Sequence, residues 1–473
     1  MNSLFNFFLK QRKTAALLGI MFIIVFLLNV NYAVLRSARN ALTVADLGGG
    51  AGAIPWFELC GTMPGALLMT LTLAWLLNKY SIQRVFFITL AVFVLFFLGF
   101  SLVIYPLMPA MKAVMLNCPW IPNWITELLP KFLSMLFFVM AELWKIALLT
   151  VLFWGFINQY VAMEDAKRYY APLMFGGSLG TILASPLIKC CTSDFLSKQS
   201  WSLSLSLMMG ALAIISLLTA WMFSLLCRFF HQPIEKQNHK APSSEPISIW
   251  EGLRICLQSP YLMLLGWMTI ADYIAYTLGE VIFLDILKQR FPTPIEYCNF
   301  MGRLSSWNGI LTGISALFIT PFLLQKCRWV VASLITPACL LITEMAFFFT
   351  LWNPNLASNL DLLVLLGSLF FCCVRAAKYT LFDTSKEISF LLLPPLEKMQ
   401  GKLIIDGICA RAGRGSASFI SLVLISACGG VLATAPIAGI MALGISSSCV
   451  FATFRLGRLV ENKKALPQEN KAP

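Results

Sequence analysis

Charged side chains recur inside otherwise apolar runs of this sequence: Glu142, Lys145, Asp272, Glu280, Glu344, Asp406, Arg411 and Arg414, with Glu58, Arg375 and Lys378 as further cases. A charge at the centre of a membrane-crossing helix costs about 2.5–3.5 kcal/mol even on a lenient insertion scale. Each has a plain structural reading. Lys145 follows Glu142 by three residues and could neutralise it on one helix face. Asp406 precedes Arg411 by five, a poorer helical spacing. Arg375 and Lys378 are expected to snorkel to a membrane edge, and Glu280 lies near the external end of its run. As a set, however, lipid-facing placements would accumulate penalties, so a polar pathway is favoured. Arginine and lysine in a dry cavity suit an anion, and the planar guanidinium fork suits phosphate oxygens. Neighbouring carboxylates would pair the cations, exclude wrong substrates or carry protons.

Other chemistries find no motif. There is no Gly-x-x-x-x-Gly-Lys-Ser/Thr loop for an ATP-driven pump, and no nucleophile motif or catalytic histidine cluster, so an enzyme is not expected. His231 and His239 are the only histidines and fall in a polar stretch, where they read as solvated linker residues. The fourteen cysteines contain no Cys-x-x-Cys; the adjacent pairs Cys190-Cys191 and Cys372-Cys373 read as small apolar residues. No metal and no cofactor is expected.

The elements that must position these charges follow from composition. Of 473 residues, 59% are hydrophobic and 12% charged, about half the charged share of a soluble domain; the mean hydropathy is +0.79. Apolar runs long enough to span a bilayer recur at 14–35, 54–77, 85–107, 132–157, 169–188, 203–227, 261–287, 305–325, 329–352, 362–382, 403–427 and 431–454. Alternating strands of barrel type are absent. The expected fold is an all-α polytopic membrane protein of about twelve transmembrane helices. Lysine and arginine are more than twice as frequent in the tails and loops on the N-terminal side as on the other, which places both termini in the cytoplasm. This asymmetry also accounts for the net charge of +13 without nucleic acid. The expected organisation is an N-terminal six-helix half (1–227), a cytoplasmic linker (228–260), a C-terminal six-helix half (261–454) and a cytoplasmic tail (455–473). A faint echo supports two halves: Phe153-Trp154-Gly155-Phe156 precedes a small-residue helix at Gly176-Gly177 and Gly180, and Leu381-Phe382-Asp383 precedes another at Gly413-Arg414-Gly415-Ser416. Six-plus-six with a central loop is a major-facilitator-like arrangement, and the glycine patches would let helices approach closely.

Several strings resemble the ATP/ADP translocases, the nucleotide transporters of plastids and obligate intracellular bacteria. They are Phe137-Phe138-Val139-Met140-Ala141-Glu142-Leu143-Trp144, Leu152 to Phe156 with Asn158-Gln159, Glu164-Asp165-Ala166-Lys167-Arg168-Tyr169-Tyr170, and Glu280-Val281. Later come Phe291-Pro292, Glu296-Tyr297, Phe300-Met301-Gly302, Lys378-Tyr379-Thr380-Leu381-Phe382-Asp383, Lys386-Glu387 and Lys398 to Asp406. They run in order through both halves. The resemblance implies import of host nucleotide in exchange for one made inside, or proton-coupled uptake. It also implies four important membrane charges. Glu142 and Glu280 match two of them. Arg414 stands where a lysine is usual. At the remaining position Ile54-Pro55-Trp56-Phe57 is followed by Glu58 in place of lysine, a reversal of charge. Arg39-Asn40 replaces an expected Lys-Asp, Phe283-Leu284 a Trp-Lys, and Arg303 an acid.

The combined expectation is a secondary transporter of nucleotides in the inner membrane of an intracellular bacterium. Arg36, Arg39, Lys145, Arg411 and Arg414 would contact phosphate, Glu142 and Glu280 would act as ion-pair partners, and Glu58 would hold a proton. Asn158 completes the substrate-binding set. ATP/ADP antiport leads; proton-coupled nucleotide symport and exchange of a less charged nucleotide such as NAD for ADP are the alternatives. A non-transporting scaffold would gain nothing from the buried charges.

Overall fold

The computed structural model describes the backbone of residues 2–47, 49–117, 122–160, 163–197, 200–229 and 249–465. Side chains are described over the same stretches except 2–15, 123, 158–160, 163–171, 197, 229, 249–252, 395–396 and 462–465. The expected linker core with His231 and His239 and the end of the tail lie outside these residues; Glu164 and Asp165 are helical, within Met163–Cys191, with their side chains outside the described set.

Among the described residues the chain is all-helical, with no strand. Helices are the economical way across lipid because every backbone group is satisfied within the segment. Eleven are long and apolar enough to cross a membrane: α1 (Ala16–Asp46), α2 (Ala53–Lys79), α3 (Ile82–Leu116), α4 (Trp124–Ile157), α5 (Pro172–Cys191), α6 (Trp201–Arg228), α8 (Pro294–Lys326), α9 (Trp329–Trp352), α10 (Leu360–Leu391), α11 (Glu397–Cys428) and α12 (Leu432–Glu461). The helix α7 (Pro260–Arg290) is 31 residues long, but Asp272, Glu280, Asp285 and three tyrosines dilute its apolarity. It buries much of its length against α12 and α11. All twelve expected spans are therefore helices, and several run longer than their apolar cores. Met108 to Leu116, beyond the apolar run at 85–107, continues α3.

The chain forms two compact units. The first contains Met1–Gly50, Cys60–His239 and Phe291–Gly313; the second contains Ala51–Leu59, Lys240–Arg290 and Ile314–Pro473. In the first, α1 packs against α5, α6 and α4. Aromatic rings fill the core, with Phe86 stacked on Phe223 at 3.9 Å between centroids and Phe97 edge-on to Phe137. Glycine sets the α1–α5 spacing: a Cβ on Gly180 would lie 2.4 Å from the Phe26 carbonyl oxygen. In the second unit α7 packs against α12, α11 and α10, and α9 against α12 and α10. Here Gly413 sets the spacing, since a Cβ would lie 3.1 Å from Ile270 Cα and 3.0 Å from Tyr273 Cβ. The small-residue patches legible in the sequence are thus the points where α5 and α11 cross their neighbours.

Several spans change winding part-way. In α4 a π-helical stretch runs Lys145–Phe153, and in α10 one runs Lys378–Phe382. Others include Glu58–Thr62 in α2 and Leu403–Cys409 in α11. Such wide turns often mark functional positions.

Candidate functional site

In the first unit, α1 carries Tyr32, Arg36 and Arg39 along one stripe, spaced four and three residues apart. The facing turn of α4 supplies Phe138, Glu142 and Lys145. Arg39 forms an ion pair with Glu142, and the two residues are only 7% and 8% exposed. The Arg39 guanidinium lies 4.1 Å from the Phe138 ring centroid. The Tyr32 hydroxyl donates to Glu142 Oε1 at 3.4 Å, and the Lys145 ammonium sits 5.0 Å over the Tyr32 ring. The charges of Glu142, Lys145, Arg36 and Arg39 all act on the Tyr32 hydroxyl. Arg39 Nε is buried without a hydrogen-bond acceptor among the described residues. A buried donor in that condition has lost water and gained nothing, which is costly. The arrangement can therefore accept an anionic oxygen beside a carboxylate already in place.

In the second unit the same kinds of groups meet on α7 and α10. Arg375 donates through Nη2 to Glu280 Oε1 at 2.9 Å and through Nε to the Tyr276 hydroxyl at 2.5 Å. Its guanidinium lies 4.2 Å over Phe371. Lys378 pairs with Asp272 and lies 3.5 Å over the Tyr273 ring. Arg414 reaches the Tyr273 hydroxyl at 3.5 Å and lies 4.9 Å over the same ring. Lys386 bridges Asp406 at 2.7 Å and Asp383 at 3.6 Å. Cation–π and ion-pair contacts together let Arg375, Lys378 and Lys386 stand away from bulk water, whereas Arg414 is exposed.

Of the residues singled out from sequence, the structure brings Arg36, Arg39, Glu142 and Lys145 together in one unit, and places Glu280 and Arg414 in the other. Arg411 is exposed, with no ion pair among the described residues. Glu58 is partly buried at the head of its π-helical turn. Asn158 lies in the helical turn Trp154–Tyr160, its side chain outside the described residues. Glu344 is fully buried on α9 and accepts a 2.5 Å hydrogen bond from Ser446. Two readings are corrected. Arg375 and Lys378 do not snorkel to an edge, because carboxylates on α7 hold them inside the bundle. Asp406 finds Lys386 rather than Arg411, since its better partner comes from another helix. Sequence reasoning missed Tyr32, Tyr273 and Tyr276 altogether. A signal for them exists: Tyr32 precedes Arg39 by seven residues as Tyr273 precedes Glu280, and Glu142 precedes Lys145 by three as Arg375 precedes Lys378.

These charged clusters lie in a chain whose residues 5–459 match the family model described as TLC ATP/ADP transporter. The chain belongs to that family. It is 31% identical over 470 residues to ADP,ATP carrier protein 1 of Chlamydia muridarum, covering 93% of this chain and 87% of the relative. It is 29% identical to the chloroplastic ADP,ATP carrier protein 2 of Arabidopsis thaliana, covering 90% and 71%. In fold it is similar to a mutant of the nucleoside transporter NupG, with a TM-score of 0.62 at 16% identity over 93% of this chain and 99% of that one. The family member described here is thus a multi-pass, all-α membrane protein of major-facilitator-like fold. Glu142 and Glu280 are each paired across helices with an arginine.

Proposed function

We propose that this transporter carries adenine nucleotides, exchanging one molecule for another as a secondary carrier, with the Arg39–Glu142 cluster as a phosphate-binding element. The observation that carries the reading is Arg39. Its guanidinium is buried, its Nε lacks an acceptor, and it sits among Arg36, Lys145 and Tyr32. An incoming phosphate oxygen would satisfy that donor and draw the guanidinium from Glu142; departure of the phosphate would let the pair re-form. Glu280 holds Arg375 in the same manner, and Arg414 and Arg411 supply further cations, with Asn158 as a neutral contact. The carrier names of the relatives, ADP,ATP in both cases, support this cargo. The reading includes two six-helix halves, 1–227 and 261–454, joined by the linker 228–260, with the tail 455–473 and both termini in the cytoplasm. The membrane is taken to be the inner membrane of an intracellular bacterium.

The acid at Glu58 favours one second reading, in which a proton enters with the nucleotide. Intact bacterial cells expressing the full chain, given labelled ATP, ADP, GTP, UTP and NAD, separate the possibilities. Exchange predicts that unlabelled nucleotide outside accelerates efflux of the label. Symport predicts abolition by a protonophore. Correctly inserted protein that admits none of the five overturns the nucleotide reading. A Glu58→Lys variant that loses protonophore sensitivity and gains exchange would assign the proton to Glu58.

A further inference from the structure

The two units repeat one local design. Lys145 heads the π-helical stretch of α4 and rests on Tyr32; Lys378 heads that of α10 and rests on Tyr273. Seven residues beyond each tyrosine lies one member of the buried arginine–glutamate pair, and three residues before each lysine lies the other. Lys378 is therefore the internal counterpart of Lys145. The residue just before each tyrosine differs. Before Tyr32 it is Asn31, fully buried, whose amide donates to Ser216 Oγ at 3.0 Å on α6. Before Tyr273 it is Asp272, 2% exposed, whose carboxylate holds Lys378.

The surrounding charges follow suit. Around Tyr32 the charges that act on its hydroxyl include Arg36, Arg39, Lys145 and Glu142. Around Tyr273 the cations Lys378, Lys386 and Arg414 face Asp272, Asp383 and Asp406. In the second set Asp272 neutralises Lys378, a role that the uncharged Asn31 before Tyr32 cannot play. A neutralised cation attracts a nucleoside triphosphate no more than a diphosphate, whereas an uncompensated cation favours the more negative of the two.

We propose that Lys378 is a phosphate-binding cation masked by Asp272, so that Asp272 sets how strongly the carrier prefers one phosphate count over another. This rests on the reading of the cargo as a nucleotide. An anion that takes the Lys378 ammonium must displace the Asp272 carboxylate, and removing that carboxylate unmasks the lysine. Half-saturation for labelled ATP and ADP, measured in cells or proteoliposomes carrying the full chain, tests it. Asp272→Asn is expected to move the ATP-to-ADP preference toward ATP by about ten-fold. The double variant Asp272→Asn with Lys378→Gln removes both charges and avoids a stranded ammonium. It is expected to return the preference to the wild-type value while raising half-saturation for both nucleotides by about ten-fold. Inserted Asp272→Asn protein with unchanged preference overturns the proposal. Where Asp272→Asn does not insert, the double variant decides alone, and wild-type half-saturation in it is equally fatal. Wild-type ADP uptake is the control: its absence sinks the cargo reading, whereas normal uptake with unaltered variants sinks only the role of Asp272.

Discussion

In the first unit the guanidinium of the buried pair comes from α1 and the carboxylate from α4; in the second the carboxylate comes from α7 and the guanidinium from α10. The tyrosine seven residues upstream and the lysine three residues downstream keep their types in both. What the two regions share is a pair closed across two helices, with an aromatic ring under the arginine: Phe138 in one, Phe371 in the other. The sign carried by a given helix is not preserved. The physical demand is that each buried charge meets its opposite, because the cost of an unpaired ion in a low-dielectric interior exceeds any preference for which backbone supplies it.

The severest way to break this comparison is to remove one arginine at a time. Arg39→Ala and Arg375→Ala each leave a glutamate without its ion-pair partner, and each should lose about 3–5 kcal/mol of stability, read by denaturation in detergent. Similar losses would make the two pairs equivalent; a loss at only one would dissolve the analogy. Exchanging the charges, Arg39→Glu with Glu142→Arg, gives the first unit the polarity of the second. Stability should return to within about 1 kcal/mol of wild type, and failure to recover would mean that position matters more than pairing. The helix crossings offer a milder contrast. Gly180→Ala drives a methyl onto the Phe26 carbonyl at 2.4 Å, whereas Gly413→Ala meets Ile270 and Tyr273 at 3.0 Å or more. Both should cost about 1–3 kcal/mol, with the larger loss at Gly180. The smallest expected effect is Tyr32→Phe, which forfeits one 3.4 Å hydrogen bond to Glu142 and should cost about 0.5–1.5 kcal/mol, in the same denaturation assay.

Spans were legible because lipid imposes one requirement along the whole length of a helix, and apolar runs report it directly. Even α7, the least apolar of the twelve, stood out by its length between turn-forming segments. Glu142 and Glu280 were legible as residues too expensive to be accidental. Partners were not, for a physical reason. Spacing along one helix suggests Glu142 with Lys145, but α1 lies alongside and Arg39 forms an ion pair with the same carboxylate. Arg375 and Lys378 looked like edge residues because their carboxylates, Glu280 and Asp272, are about a hundred residues earlier. Helix adjacency decides such matches, and periodicity within a segment carries no information about it. The repeated spacing of tyrosine, charged pair and lysine would have carried that information had the halves been laid over one another.

The wide turns that begin at Lys145 and Lys378 separate each helix into two rotational phases. In ordinary winding each residue advances the helix by about 100°, so gaining or losing the extra residue of a wide turn swings everything beyond it by that angle. On α4 the residues ahead of the lysine, Glu142 among them, keep their bearing toward α1, while Leu152 and Phe153 beyond it would turn onto a new face. A screw that can slip at one thread lets its tip rotate while its head stays fastened. In α4 and α10 that thread begins at the lysine lying on a tyrosine, one turn past the fastening ion pair.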